Sequence, residues 1–338
     1  MIRRKLFLIL LLTGILWLYV FPPGCTDQAV APPPEGSTPA ELTMDIVGYL
    51  PDYRVASVNS GVSRMLTHLI YFSIEPQADG NLDLTRFDMM SQSYLNALKR
   101  DNPAVKMIIA VGGWGRSRYF PDVTLNDILR NYFIVELLSF CKVNNFDGID
   151  LDWEFPANSS EQEAYATLIS QLGDSCAVHD LSLSVALNAY QTLATEAYSH
   201  LDRVHIMSYD HSGRHATFEQ ALNDVAVFLG RGIPSEKLYL GMPFYGRKIT
   251  DFSQVLGYRD IVSRYHPSEN VDEVDGYYFN NIGTVIRKSE YAIAADLGGV
   301  MVWEIGQDTD GEESLLRAIF QTASGDSLLK IFKNELGK

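Results

Sequence analysis

The chain has 338 residues, 46% hydrophobic and 20% charged, which supports a buried core and excludes a disordered or collagen-like chain. Lys and Arg total 27 against 42 Asp and Glu, a formal charge of −15; binding phosphate needs clustered cations, so nucleic acid and an anionic membrane surface are excluded as main partners. Three cysteines cannot make a disulfide framework, and Cys25, Cys141 and Cys176 show no zinc-ligand spacing, so neither a metal nor a cofactor is expected.

Residues 1–25 read as an address. Arg3, Arg4 and Lys5 precede an apolar run from Leu6 to Phe21, the pattern of an export signal, and Pro22 and Pro23 stop it. Gly24-Cys25 after that run resembles a bacterial lipoprotein box, which would make Cys25 a lipidation candidate, although Pro22 stands where that pattern has an aliphatic residue. Lipidation at Cys25, an uncleaved membrane anchor and plain secretion stay open; all three place the body outside the cytoplasm. Residues 26–43 are Pro-rich without apolar periodicity and read as a linker.

Residues 44–325 alternate strand-like and helix-like stretches, with 326–338 as a C-terminal tail. Eight apolar, β-branched runs read as strands: Met44–Leu50, Thr67–Ile74, Lys106–Val111, Gly148–Leu151, Leu181–Leu187, Arg203–Met207, Leu238–Met242 and Gly299–Trp303. Helices are expected over Gln92–Arg100, over Asn126–Asn144 with Ile128, Leu129, Tyr132, Val135 and Leu138 near helical spacing, and over Thr217–Gly230. A further helix, Ser160–His179, opens with Ser160 and Glu163 at capping-box spacing. Eight such units predict an α/β fold, a (β/α)8 TIM barrel, with catalytic groups at the strand C-terminal ends. The stretch from Met242 to Gly299 is too long for one crossover and predicts a short, Tyr-rich insertion between strands 7 and 8, around Tyr258–Phe279.

Residues 147–156 read DGIDLDWEFP. Strand alternation puts Asp150, Asp152 and Glu154 on one face and Ile149, Leu151 and Trp153 on the other, while Asp147 reads as a buttress. Three carboxyls aimed into a barrel disfavour one another's charge, so at least one proton is shared and the outermost acid becomes a natural donor. A structural row paired to cations lacks inward Lys or Arg on neighbouring strands, and a calcium cage lacks the flexible loop of oxygen ligands.

DGIDLDWEFP resembles the DxxDxDxE signature of glycoside hydrolase family 18, the chitinases. VGGWG (Val111–Gly115) is similar to the family's third-strand SxGG element, MSYD (Met207–Asp210) to its sixth strand, GMPFYGR (Gly241–Arg247) to its seventh and GGVMVWEIGQD (Gly298–Asp308) to its eighth; IVGYLPDY and THLIYFSI fit the first two. The likeness spans about Asp45–Asp308. It implies a retaining, endo-acting hydrolase of β-1,4-linked N-acetylglucosamine polymers, chitin or chito-oligosaccharides, in which the substrate's acetamido oxygen is the nucleophile. On that likeness Glu154 is the general acid and base, Asp152 orients the acetamido group, Asp150 shares a proton with Asp152, and Tyr209 donates to the acetamido carbonyl. Trp303 would form the sugar's floor, Trp114 would cap a subsite, and Asp210, Met207, Gly113, Tyr49, Phe72 and Arg247 would line the cleft.

Ala110 stands where the family usually has the SxGG serine, which alters the surroundings of Asp150. Few tryptophans and a short insertion predict an open cleft. His205 reads as core, and His211 and His215 as cleft edge. Cys141 and Cys176 fall late in adjacent helices, either as buried thiols or as a pair in an oxidising compartment. A monomer is expected. Two rival functions remain: cleavage of glycoprotein or peptidoglycan N-acetylglucosamine glycans, and sugar binding without turnover.

Overall fold

A computed structural model describes residues 42–325. The expected export segment with Cys25, nearly all of the linker and the 326–338 tail lie outside the described residues. Eight parallel strands form the barrel: β1 Asp45–Pro51, β2 His68–Pro76, β3 Lys106–Gly112, β4 Gly148–Asp152, β5 Ser182–Leu187, β6 Arg203–Ile206, β7 Leu238–Pro243 and β8 Gly299–Trp303. Each pairs with the next, and β1 pairs with both β2 and β8, so the sheet has no free edge. All eight expected strands form, within one or two residues at each end.

Period-2 alternation sorts the side chains into two cores. Ile46, Leu50, Ile149, Leu151, Val204, Leu240 and Val302 pack outward under the helices. Val47, Tyr49, Ile70, Phe72, Ile108, Ala110, Tyr239 and Met301 fill the barrel interior. Parallel strands buried on both faces explain why the sequence shows near-continuous apolar runs.

The crossover helices are α1 Met89–Asp101, α2 Asp127–Asn144, α3 Ser159–Val178, α4 Phe218–Gly230 and α5 Ile282–Ala294, and α6 Leu315–Ala323 follows the last strand. Two crossovers lack an α-helix: 3-10 turns at Asp52–Ser57 and Ser60–Met65 join β1 to β2, and one at Thr195–His200 lies between β5 and β6. The apolar stripe read along α2 is not its packed face. Ile128, Tyr132 and Val135 are exposed, while Phe133, Ile134, Leu137, Phe140 and Cys141 are buried. Helix α2 carries apolar residues around much of its circumference, so spacing alone did not identify the side that meets the barrel. The cap of α3 also moves: Asn158, not Ser160, accepts the Glu161 N–H, and the Glu161 carboxylate accepts from the Asn158 side-chain amide and the Ala157 N–H. Cys141 and Cys176 are both buried free thiols.

The insertion begins earlier than expected. Strand β7 ends at Pro243, and Tyr245–Lys248 starts a four-stranded antiparallel sheet with Asp251–Gly257, Tyr277–Tyr278 and Glu273–Val274. Arg247 therefore belongs to the insertion and not to the seventh strand.

Candidate active site

The acid row lies at the C-terminal end of β4. Ile149, Leu151 and Trp153 face the helices, and Trp153 stacks on Phe120 with ring centroids 5.1 Å apart. Asp150 and Asp152 thereby take the inner face, and Glu154 follows two residues beyond the strand end at Asp152. Asp147, on the opposite phase, accepts the Met107 N–H at 2.8 Å and ties β4 to the start of β3.

Asp150 is fully buried and surrounded by donors. The Tyr49 hydroxyl donates to Oδ2 at 2.7 Å, the Ser184 hydroxyl to Oδ1 at 2.5 Å, and His205 Nδ1 lies 3.1 Å from Oδ1. Burial alone would raise its pKa; His205, then Ser184 and Tyr49, outweigh burial and hold the carboxyl below its ordinary value. Ala110 and Ser184 both pair with Asp150 across the sheet, so β5 supplies a hydroxyl where β3 has only a methyl group. Asp152 contrasts with it. Its Oδ1 is buried without a hydrogen-bond partner among the described residues. Burial, then the charges of Glu154 and Asp150, push its pKa well above the ordinary value.

Glu154 is partly exposed beyond the C-terminal end of β4. Burial lifts its pKa to about 7, against the opposing pull of the Trp114 backbone N–H, and the Asp210 charge adds to the rise. Its own backbone N–H donates to the Ser117 hydroxyl at 3.0 Å. Ser117 also donates toward the carbonyls of Gly113 and Asp152. The glycine pair makes this close approach of the ends of the parallel strands β3 and β4 feasible. Gly112 and Gly113 have φ of +93° and +102°, and a Cβ on Gly113 would sit 2.0 Å from the Phe72 ring. The Gly113 N–H instead donates to the Asp152 carbonyl at 2.6 Å.

Trp303 ends β8 beside this row, edge-on to Phe72 at 4.6 Å and to Tyr49 at 5.6 Å. Met207 and Tyr209 pack on the same interior cluster. Among the described residues the Tyr209 hydroxyl has only a weak contact, Met301 Sδ at 3.9 Å, so it is available to a ligand. Trp114 is 78% exposed.

Several expected positions take other places. Tyr49 is 2% exposed and holds Asp150 from below instead of lining the cleft. Arg247 reaches back from the insertion to clamp Asp210, with Nε at 2.5 Å and Nη2 at 2.6 Å from its two oxygens, and Tyr245 donates to the same carboxyl at 2.7 Å. His215, Arg247 and Tyr245 overcome burial and hold the Asp210 carboxyl well below its ordinary range. His215 is fully buried beside Asp210 and does not edge a cleft, while His211 is partly exposed with Nε2 2.9 Å from Asp224 on α4. Sequence reasoning missed His205, Ser184 and Ser117 as partners of the row. His205 shares the inward phase of Met207 and Tyr209, a signal that was present; the pairing of Ser184 with Asp150 depends on sheet register. Tyr190 was also missed. It is 75% exposed and lies edge-on to Phe155 at 5.8 Å, next to Glu154 in sequence.

Among the described residues no group of three or more His, Cys, Asp or Glu side chains is placed to hold a metal ion. The arrangement offers one partly exposed carboxyl that keeps a proton near neutral pH, two buried acids of opposite tendency, the Trp303 and Phe72 rings, and a phenol at Tyr209.

A sequence model described as "Glycosyl hydrolases family 18" matches residues 45–308. "Probable chitinase 2" of Drosophila melanogaster is 25% identical over 345 aligned positions, covering 78% of this chain and 70% of the relative. Among solved structures, the GH18 chitinase ChiB from the chitin utilization locus of Flavobacterium johnsoniae is 27% identical with a TM-score of 0.77, covering 84% of this chain and 94% of the other. A plant class V chitinase mutant from Cycas revoluta in complex with (GlcNAc)3 shares the fold at 23% identity and a TM-score of 0.74, over 82% and 99% of the two chains.

Proposed function

The chain belongs to glycosyl hydrolases family 18, and we propose that it is a retaining, endo-acting chitinase that cleaves β-1,4-linked N-acetylglucosamine chains by substrate-assisted catalysis. The observation that carries this reading is the graded acid row: a buried anion at Asp150, an acid with raised pKa at Asp152 and a carboxyl near 7 at Glu154, open to the cleft.

Glu154 protonates the glycosidic oxygen as its bond to C1 breaks, and that oxygen leaves with the bonding electron pair. The acetamido oxygen of the same sugar forms the new bond to C1, giving an oxazolinium ion. Asp152 faces the acetamido N–H, and the uncommitted Tyr209 hydroxyl donates to the acetamido oxygen. Glu154, now ionised, takes a proton from water as its oxygen attacks C1 and the acetamido C–O bond breaks. The configuration at C1 is retained. Trp303 and Phe72 supply the apolar floor under the distorted ring.

The (GlcNAc)3 complex of the Cycas revoluta relative supports an N-acetylglucosamine oligomer as the ligand class. The N-terminal pattern extends the reading to an extracytoplasmic enzyme, secreted, anchored or lipidated at Cys25. Release of reducing ends from chitin oligosaccharides, wild type beside Glu154→Gln, tests the assignment. Turnover of chito-oligosaccharides lost in the variant is the expected result. Binding without turnover in the wild type would make the protein a lectin, and activity confined to muropeptides or glycoproteins would reassign the substrate.

A further inference from the structure

We propose that Asp224 of α4 is a positioning residue that holds the Tyr209 phenol in place through its contacts with Ser208 and His211. The inference deepens the proposed catalytic reading and rests on the role given there to Tyr209.

The segment that carries Tyr209 has left the sheet. Strand β6 ends at Ile206, and the Met207 N–H still donates to the Leu187 carbonyl at 2.8 Å. Beyond it the ladder stops. The Ser208 N–H turns back to the Ile206 carbonyl at 2.8 Å, and the Tyr209 N–H has no backbone partner among the described residues. Asp210 follows at φ +65°, a left-handed conformation that a residue other than glycine keeps only where its surroundings hold it. Side chains must therefore fix this segment. Asp210 has its own holders in Arg247 and Tyr245 of the insertion. Tyr209 has no comparable bond among the described residues: its hydroxyl meets Met301 Sδ at 3.9 Å, and its ring lies edge-on to Tyr245 at 6.3 Å.

Asp224 supplies the hold from the helix side. The buried stripe of α4 is Ala221, Asp224, Val225 and Phe228, so one carboxyl stands in an otherwise apolar face, 5% exposed. Burying an acid there is costly unless polar partners meet it. Those partners come from either side of Tyr209. The fully buried Ser208 donates its hydroxyl to Asp224 Oδ2 at 2.6 Å, and His211 Nε2 lies 2.9 Å from the same oxygen. Met207 and Tyr209 pack on the interior cluster, so pinning Ser208 toward α4 fixes the direction in which its two neighbours point. The far end of the segment is tied down separately: buried Lys288 of α5 and Asn280 both donate to the Ala216 carbonyl, at 2.9 and 2.8 Å. With Asp210 and Ala216 held by other residues, Asp224 is the anchor nearest the phenol.

Two measurements test the proposal. The first is kcat and KM on a chito-oligosaccharide for Asp224→Ala and Ser208→Ala, each made in the wild type and in Tyr209→Phe. A residue that acts only through the phenol costs no more than the phenol itself, so each variant should lower kcat about 5–50-fold with little change in KM. In the Tyr209→Phe background the same substitutions should change kcat by less than about twofold, whereas a merely structural defect would act equally in both backgrounds. Asp224→Asn keeps an oxygen acceptor and should stay within about threefold of wild type. The second measurement is carbon-13 NMR of protein labelled at the tyrosine ζ carbon, with the Tyr209 signal assigned by its loss in Tyr209→Phe. That signal should shift or broaden in both Ala variants and keep its wild-type position in Asp224→Asn. Unchanged kcat in both Ala variants, equal losses of kcat in the two backgrounds, or an unmoved Tyr209 signal in both Ala variants overturns the proposal. Ser208→Ala decides alone if Asp224→Ala fails to fold. An inactive wild type overturns the functional reading, and the NMR arm still decides whether Asp224 holds Tyr209.

Discussion

Replacing Glu154 by Gln should stabilise the protein in a pH-dependent way while abolishing its chemistry. Burial lifts the Glu154 pKa from its ordinary 4.5 to about 7. Between those values the folded state keeps a proton that the unfolded chain has released. Stability therefore falls as the pH rises through that window, and the loss is complete above about 7. At about 1.4 kcal/mol per pH unit, the cost reaches about 3 kcal/mol at pH 8. Gln does not titrate and nearly matches the shape of Glu, so the variant avoids the cost. It also removes the first charge acting on Asp152 after burial. Urea unfolding of both proteins at pH 4 and pH 8 measures the effect: the variant's advantage should be about 3 kcal/mol larger at pH 8. Turnover should fall by at least 10²–10⁴-fold, the order expected for a lost general acid. In the wild type kcat/KM should decline above about pH 7. A stability difference that does not change with pH would refute the claim that Glu154 is held protonated by its surroundings, whatever the activity shows.

Three further outcomes follow from particular contacts. Tyr209→Phe leaves no strong bond unmade in the free protein, so kcat should drop about 10–100-fold with little change in KM in steady-state kinetics. Ser117→Ala removes the hydroxyl that accepts the Glu154 N–H and reaches the Asp152 carbonyl; it should lower kcat about tenfold, with far-ultraviolet circular dichroism unchanged. Gly113→Ala places a methyl group 2.0 Å from the Phe72 ring at a φ of +102°, which should cost about 2–4 kcal/mol in denaturant unfolding and reduce activity as the close approach of the β3 and β4 ends is disturbed.

The sequence by itself determined the layout of the fold and the acid row on which the proposed chemistry rests. Runs of Val, Ile and Leu bounded by turns marked all eight strands, because strands buried on both faces tolerate little else. Strict alternation put Asp150, Asp152 and Glu154 on one face without any knowledge of neighbours. Tertiary structure decided everything that depends on which strands lie side by side. Sheet register brings Ser184 opposite Asp150 where Ala110 cannot serve, and barrel closure sets Tyr49 and His205 against the same carboxylate. The packed face of α2 was ambiguous because Ile128 and Phe133 are equally apolar and only the barrel distinguishes them. Arg247 read as a cleft residue until the insertion's antiparallel sheet carried it onto Asp210. Period and composition are local properties that survive in one dimension. The pKa of a carboxyl depends on charges and donors within a few ångströms, and for Asp150 those come from residues 34 to 101 positions away along the chain.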